Sequence, residues 1–330
     1  MYAMQHPSGL TNLGNTCYFN ATLQLLAHCR QFVRYIDGNG GESVLASEVR
    51  AVLRQLRDGS GCPVVPAQLV RTTDQCTIFN VYMENDAHEL FCLLIDALCT
   101  KGKNSTYGVL HKLDADWQSL FASFGQRSDV GMAPIFHGQT VSSISCSRCG
   151  KKNTPGSEVF SSLTLELGRS PASSSELLSA HFQPESIHGW TCDSCGVGSV
   201  ANKRVSLWRL PKVLVLCVKR FLHDGTSVSR LGVSPCKRLR IDAICPDSPA
   251  ATSNANHRYR LAGAVCHVGS QDGGHYVTMA RRSGSTTGWF QFDDQNVRRI
   301  DDGIAGIPTS TTYMLAYERV RIPRSISIAN

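Results

Sequence analysis

The first residue to consider is Cys17. It closes the run Gly9-Leu-Thr-Asn-Leu-Gly-Asn-Thr-Cys17, in which a loop holding Gly14 and Asn15 gives way to an apolar-periodic segment, so the thiol stands at a helix N-terminus. The positive end of the helix dipole favours a thiolate there, the form that attacks carbonyl carbon. The free backbone N–H groups of the same terminus suit a developing oxyanion, and Asn12, five residues upstream, offers a side-chain donor. The residues alone leave a buried structural thiol as the alternative reading.

A nucleophilic thiol needs a base and a group that orients the base. Among eleven histidines, His275 stands out. Gly273 and Gly274 precede it and strand-like Tyr276-Val-Thr-Met279 follows, so a substrate backbone can approach without meeting a side chain. His267 alternates with Leu261 and Val265 and reads as an ordinary strand residue. A second chemistry is written in Cys146-x-x-Cys149-Gly150 and Cys192-x-x-Cys195-Gly196. Four thiolates in two matching knuckles suit one structural zinc at about 2.3 Å per bond, with no open position for catalysis. The 42 residues between the knuckles exceed a simple zinc ribbon, so strands such as Glu158 to Leu167 belong inside the loop.

The elements that position these groups change character along the chain. Phe19, Leu23 and Leu26 mark a first helix; Leu45, Val49, Val52, Leu53 and Leu56 mark a second, stopped by Gly59; Leu90, Leu93, Leu94 and Leu98 mark a third. From Gln139 the period is two, as in Val159, Leu163, Leu165 and Leu167, or Leu261, Gly263, Val265 and His267. Val213 to Val218 is continuously apolar, which predicts a strand buried on both faces at the heart of a sheet. Segments 168–175, 246–257 and 283–288 read as loops. Helices first and strands later predict an α+β domain.

Composition narrows the function classes. The 330 residues suffice for a large core, and no apolar run exceeds six residues, against about 20 for a membrane span. Fourteen cysteines without a secretory signal at Met1 to Pro7 predict a reducing compartment, cytoplasmic or nuclear, with thiols buried, metal-bound or catalytic. The net charge of +7 is spread over short pairs such as Arg281-Arg282, so nucleic acid is not an expected partner, and a monomer is expected.

The run GLTNLGNTCYFNATLQLL, residues 9–26, resembles the cysteine box of the ubiquitin-specific proteases, a papain-like deubiquitinase family. Tyr259-Arg-Leu-Ala-Gly-Ala-Val-Cys-His-Val-Gly269, Gly274-His-Tyr276 and Trp289-Phe-Gln-Phe-Asp-Asp294 resemble its histidine box, and Leu210 to Phe221 its palm strand. The resemblance implies Cys17 as nucleophile, Asn12 in the oxyanion hole, His275 as base and Asp293 as orienter, with Asp294 sharing that task in some members. It implies a papain-like fold over 9–320: a helical thumb (about 9–125), zinc-bearing β fingers (about 137–205) and a β palm (about 126–136 and 206–320), followed by a tail at 321–330. It also implies ubiquitin and ubiquitinated proteins as partners, with Asp86, Glu89, Gly274 and Tyr276 receiving the ubiquitin tail. A protease for a ubiquitin-like modifier and an inactive ubiquitin-binding scaffold are the alternatives. Two segments depart from the pattern. Many members carry Gln-Gln-Asp-Ala-Gln-Glu-Phe where this chain has Glu84-Asn-Asp-Ala-His-Glu-Leu90, and Ser234 to Ile241 fits only loosely, which implies altered gating of the tail. Asp86-x-x-Glu89 also reads as a helix capping box.

Overall fold

The computed structural model describes residues 6–38, 43–58, 60–77, 80–99, 131–221, 228–244, 257–270, 273–282 and 288–320. Its first part is helical: α1 (Cys17–Ala27), α2 (Arg30–Gly38), α3 (Val44–Arg57), α4 (Ala67–Cys76), α5 (Ala87–Cys99) and the single turn α6 (Ala133–Phe136). The three periodic windows fall on α1, α3 and α5. Helix α3 starts at Ser43, whose side chain accepts from Ala46 N at 3.1 Å, and ends at Asp58. Helices α2 and α4 carry only three and two large buried apolar residues, too few for their period to be read from sequence.

Helix α1 is buried on every side: each residue from Tyr18 to Leu26 is buried, and its polar members Asn20, Thr22 and Gln24 are hydrogen-bonded. Such a helix belongs between layers. It lies against α5 on one side and the large sheet on the other, where Thr278 Oγ1 donates to Ala21 O at 2.7 Å and Thr22 Oγ1 to Ala87 O at 3.1 Å. Each fully buried Leu or Phe contributes about 1.5–3 kcal/mol. That burial draws α1 inward and fixes where its N-terminal Cys17 emerges.

The strands are β1 (Gly138–Cys146), β2 (Lys152–Phe160), β3 (Leu163–Leu165), β4 (Ala172–Ser173), β5 (Glu185–Cys192), β6 (Gly196–Arg209), β7 (Val213–Val218), β8 (Val233–Ser234), β9 (Arg238–Arg240), β10 (Arg258–Gly269), β11 (Gly274–Arg281), β12 (Trp289–Asp293), β13 (Asn296–Ile300) and β14 (Thr312–Arg319). Eight form one sheet in the order β13-β12-β11-β10-β14-β7-β3, with β9 paired to β10; four form an antiparallel sheet β2-β1-β6-β5; and β4 pairs β8. Arg220, fully buried, ties the end of β7 to the start of β14 by donating to the carbonyls of Ser229, Leu231, Thr309 and Thr312.

Several expectations change. Strand β7 is buried throughout but stands next to the sheet's edge, because only the three-residue β3 lies beyond it. Its burial comes from side chains above and below, not from a central place. Val159 to Leu167 is not one strand: the chain bends at 161–162, so β2 stays in the small sheet and β3 joins the large one. The predicted loop 168–175 contains β4 and the start of helix α7 (Ser174–His181), whose Ser173 and Glu176 form a capping box. Residues 246–256 and 283–287 of the other two expected loops, and 100–130 and 321–330 of the expected thumb, palm and tail, lie outside the described residues. Among the described residues no helix is long and apolar enough to cross a membrane.

Candidate active site

Cys17 is the first residue of α1, and the preceding loop is held by Asn12. The Asn12 side-chain oxygen accepts from Gly14 N (3.0 Å), Thr16 N (3.2 Å) and Thr16 Oγ1 (3.2 Å). Its amide nitrogen donates to Asp294 Oδ2 at 2.8 Å. That NH2 group has two hydrogens, so one remains to donate to a bound group.

His275 lies near the start of β11, and its Nε2 meets Asp293 Oδ1 at 2.7 Å. Asp293 ends β12, whose pairing with β13 closes the Asp293-Asp294 turn, and Asp294 lies against the cysteine loop at Leu10 and Asn12. His275 is raised to about 9, first by its hydrogen bond with Cys17 and then by Asp293, against the opposing effect of partial burial. With Nε2 on Asp293, Nδ1 is the ring nitrogen left for the thiol. The imidazole is therefore a cation at neutral pH. His267, the other strand histidine, is buried against the rings of Tyr276 and Phe221, and burial together with nearby Arg230 lowers it to about 4. It is therefore uncharged at neutral pH. A Cβ at Gly274 would collide with the His267 ring, so glycine is the residue that fits beside His275.

Asp294 takes a place that sequence reasoning did not find. It is the one described non-glycine residue at positive φ (49°), a conformation that Asp tolerates in a tight hairpin turn. Its Oδ2 accepts from Asn12, its Oδ1 from Asn20 Nδ2 at 2.8 Å, and its carbonyl from Leu10 N at 2.9 Å. Asp293 thus holds the His275 imidazole while Asp294 holds the Asn12 amide. Asn20, one turn along α1 from Cys17, is the partner whose role no local pattern announced.

The acids expected to grip a peptide tail separate. Asp86 Oδ1 accepts from His88 N (2.8 Å) and Glu89 N (2.9 Å) and caps α5, whereas its Oδ2 accepts from Tyr313 (2.6 Å) and Tyr276 (3.2 Å) hydroxyls. Glu89 is exposed and makes no side-chain hydrogen bond among the described residues, so the return half of the capping box is not formed. His88, the unusual residue of this segment, instead meets Ser162 Oγ at 2.7 Å, linking α5 to the turn between β2 and β3.

At the far end of the small sheet, Cys146, Cys149, Cys192 and Cys195 bring their sulfurs within 4.8 Å of one another, with Cys146–Cys195 and Cys149–Cys192 each at 3.7 Å. Tetrahedral bonds of about 2.3 Å place sulfurs about 3.8 Å apart, so the donors fit a closed four-thiolate metal site. The two knuckle glycines take the left-handed turn such a site requires, Gly150 at φ 72° and Gly196 at φ 83°. No described cysteine is in a disulfide. Burial pushes the thiols of Cys29, Cys99, Cys217 and Cys266 up and leaves them inert, while Cys62 and Cys76 are exposed, contrary to expectation.

A family model described as ubiquitin carboxyl-terminal hydrolase matches residues 8–317. Ubiquitin carboxyl-terminal hydrolase 21 of Rattus norvegicus is 26% identical over 360 residues, which cover 96% of this chain and 62% of the rat protein. Ubiquitin carboxyl-terminal hydrolase 2 of Homo sapiens is 27% identical over 346 residues, covering 96% of this chain and 56% of the human protein. The chain therefore spans less than two thirds of the length of these curated relatives. The SAGA Ubp8/Sgf11/Sus1/Sgf73 DUB module bound to ubiquitin aldehyde superposes with a TM-score of 0.73 at 22% identity, over 98% of this chain and 72% of that one. The fold is shared.

Proposed function

The chain belongs to the ubiquitin carboxyl-terminal hydrolase family of cysteine-type deubiquitinases, and from that premise we propose that it hydrolyses the isopeptide or peptide bond at the C-terminal glycine of ubiquitin, with Cys17 as nucleophile. The observation that carries this reading is the line from Asp293 through His275 to a thiol at a helix N-terminus, with His275 held as a cation by Cys17 and Asp293.

In the acylation step the Cys17 thiolate attacks the glycine carbonyl carbon. The carbonyl oxygen becomes an oxyanion facing the α1 N-terminus and the free hydrogen of Asn12. The His275 cation then gives its proton to the leaving amine, and the C–N bond breaks to leave a thioester. Neutral His275 next takes a proton from water, whose oxygen attacks the thioester; the C–S bond breaks to restore the Cys17 thiolate beside the His275 cation, and the released ubiquitin carboxyl group gives its proton to solvent. Asp293 fixes the imidazole's orientation through both steps.

The tail of ubiquitin enters between Gly274 and the start of α5, guided by Tyr276, Asp86 and Glu89. The sheet β2-β1-β6-β5 serves as the fingers that cradle ubiquitin's body, and the four cysteines hold one zinc that ties β1 and the β5–β6 hairpin together. When bound, zinc supplies structure and no chemistry. Within 137–205, β3 pairs with β7 of the large sheet, and Leu177 and Leu178 of α7 join the apolar cluster on that sheet.

A panel of ubiquitin and ubiquitin-like proteins tipped with a thiol-reactive electrophile tests the reading. A covalent adduct with ubiquitin that disappears in Cys17→Ala supports it. Adduct formation by Cys17→Ala, or reaction only with another modifier, overturns it.

A further inference from the structure

Two short strands carry a feature that the proposed reaction does not use. Strand β9, Arg238-Leu-Arg240, pairs antiparallel with the start of β10, Arg258-Tyr-Arg260, in a register that sets Arg240 opposite Arg258 and Arg238 opposite Arg260. Leu239 and Tyr259, between them, are buried. Alternation therefore turns all four guanidinium groups to the opposite face, where Arg238, Arg240 and Arg258 are exposed. Like charges directly opposite on neighbouring strands disfavour their pairing.

Nearby acids leave this charge largely uncancelled. Asp242 lies 4.0 Å from Arg240, and Arg238 and Arg258 make no ion pair among the described residues. Glu318 is the neighbour of Arg260 on its other side, but its two oxygens already accept from Arg30 Nε (3.4 Å) and Gln31 N (3.1 Å). Arg260 continues with Lys237 and Arg281 around a cavity of about 430 Å³. Burial lowers the proton affinity of Arg281, and the charges of Arg260 and Arg30 lower it further. Asp301 and Asp302 also line that cavity, which makes it a poor seat for a small anion and leaves the open ribbon as the anion-facing surface.

We propose that this arginine ribbon docks the phosphodiester backbone of duplex nucleic acid. Guanidinium forks match phosphate oxygens in pairs, and the ribbon roots them in two rows, with Cβ atoms about 6.7 Å apart along a strand and about 5 Å across. The aromatic rings beside it, Tyr259 and Trp289, are buried and offer no platform for unstacked bases, so contact is with the backbone and independent of base sequence. Arg260 lies eight residues along β10 from Val268, the partner of His275, or roughly 27 Å. The ribbon holds the protein on a partner and leaves the cleft free.

Fluorescence anisotropy with a short labelled DNA duplex, between about 50 and 200 mM salt, reads this directly and needs no turnover. Four phosphates neutralised give a slope of log K against log salt of about −3 to −4. The double variant Arg238→Gln, Arg258→Gln reduces that slope by about two, with an unchanged or higher melting temperature as repulsion is relieved. Arg204→Gln on β6 leaves binding as it is. Absence of binding at about 50 mM salt, an unchanged slope in the double variant, or equally tight binding of polyglutamate overturns the proposal.

Discussion

Where α1 meets β11 and β12, Cys17, His275, Asp293, Asn12 and Asp294 are held by short hydrogen bonds on a packed core; at the tip of the small sheet, four cysteines stand on the ends of β1 and β5 and the turns that follow them, and along β5 only Cys192 is buried. Both sites join residues far apart in sequence. The first is held by the burial of α1 and by a network whose members fix one another. The second has little apolar packing, and its geometry depends on the ligand set itself. Damage to the first is therefore expected to appear in rate with the fold unchanged. Damage to the second is expected in stability and substrate affinity.

The largest effect that sharpens this contrast is His275→Ala, which lowers turnover of a ubiquitin C-terminal amide by about 10²–10⁴-fold with melting temperature and metal content unchanged. A parallel loss of stability would show that the cleft, too, depends on its polar residues for folding. Asn12→Ala is expected next, at about 10²–10³-fold in kcat. Asp294→Ala acts through the same amide, so the double variant Asn12→Ala, Asp294→Ala is no slower than the slower single one, whereas additive losses would mean that Asp294 acts on its own.

Replacing Cys146 and Cys192 with Ser should remove one zinc per chain by metal analysis, add an early thermal transition and raise KM for ubiquitin substrates while kcat changes little. Collapse of kcat in step with KM would mean that the two regions are coupled.

A smaller effect is in pH. The folded His275 is raised to about 9, so its cation is present at neutral pH and is lost as pH rises through that value. Because the cation protonates the leaving amine, kcat/KM falls on that alkaline side. Asp293→Asn removes a contribution that raises His275, and the limb moves to lower pH; a fixed limb would assign it to another group. The smallest effect separates the two acids of α5. Glu89→Gln should raise KM a few-fold at constant melting temperature. Asp86→Asn should cost about 0.5–2 kcal/mol of stability, because one carbonyl oxygen cannot serve both the cap and the two tyrosines.

Much of the site was legible because its signals are local. A thiol after a Gly-Asn loop, a histidine behind two glycines, and Cys-x-x-Cys-Gly knuckles each state a chemistry within a few residues. Three apolar windows gave α1, α3 and α5 for the same reason. What the sequence by itself determined was therefore the kinds of residue and the periods of the elements that carry them.

Tertiary structure alone decided which of them meet. Asp294 reached Asn12 and Asn20 only when a hairpin turn carried it against α1, 282 and 274 residues away. Asp86 became a cap shared with two tyrosines through strands near the other end of the chain. Val213 to Val218 read as central because burial and central position look alike in an apolar run, yet strand order set it beside the edge. The basic residues that look scattered along the chain gather into one ribbon only through the register of β9 on β10. Local pattern reports how each residue is wetted or buried, while pairing across hundreds of residues follows from how whole layers close over their apolar faces, which no short window contains.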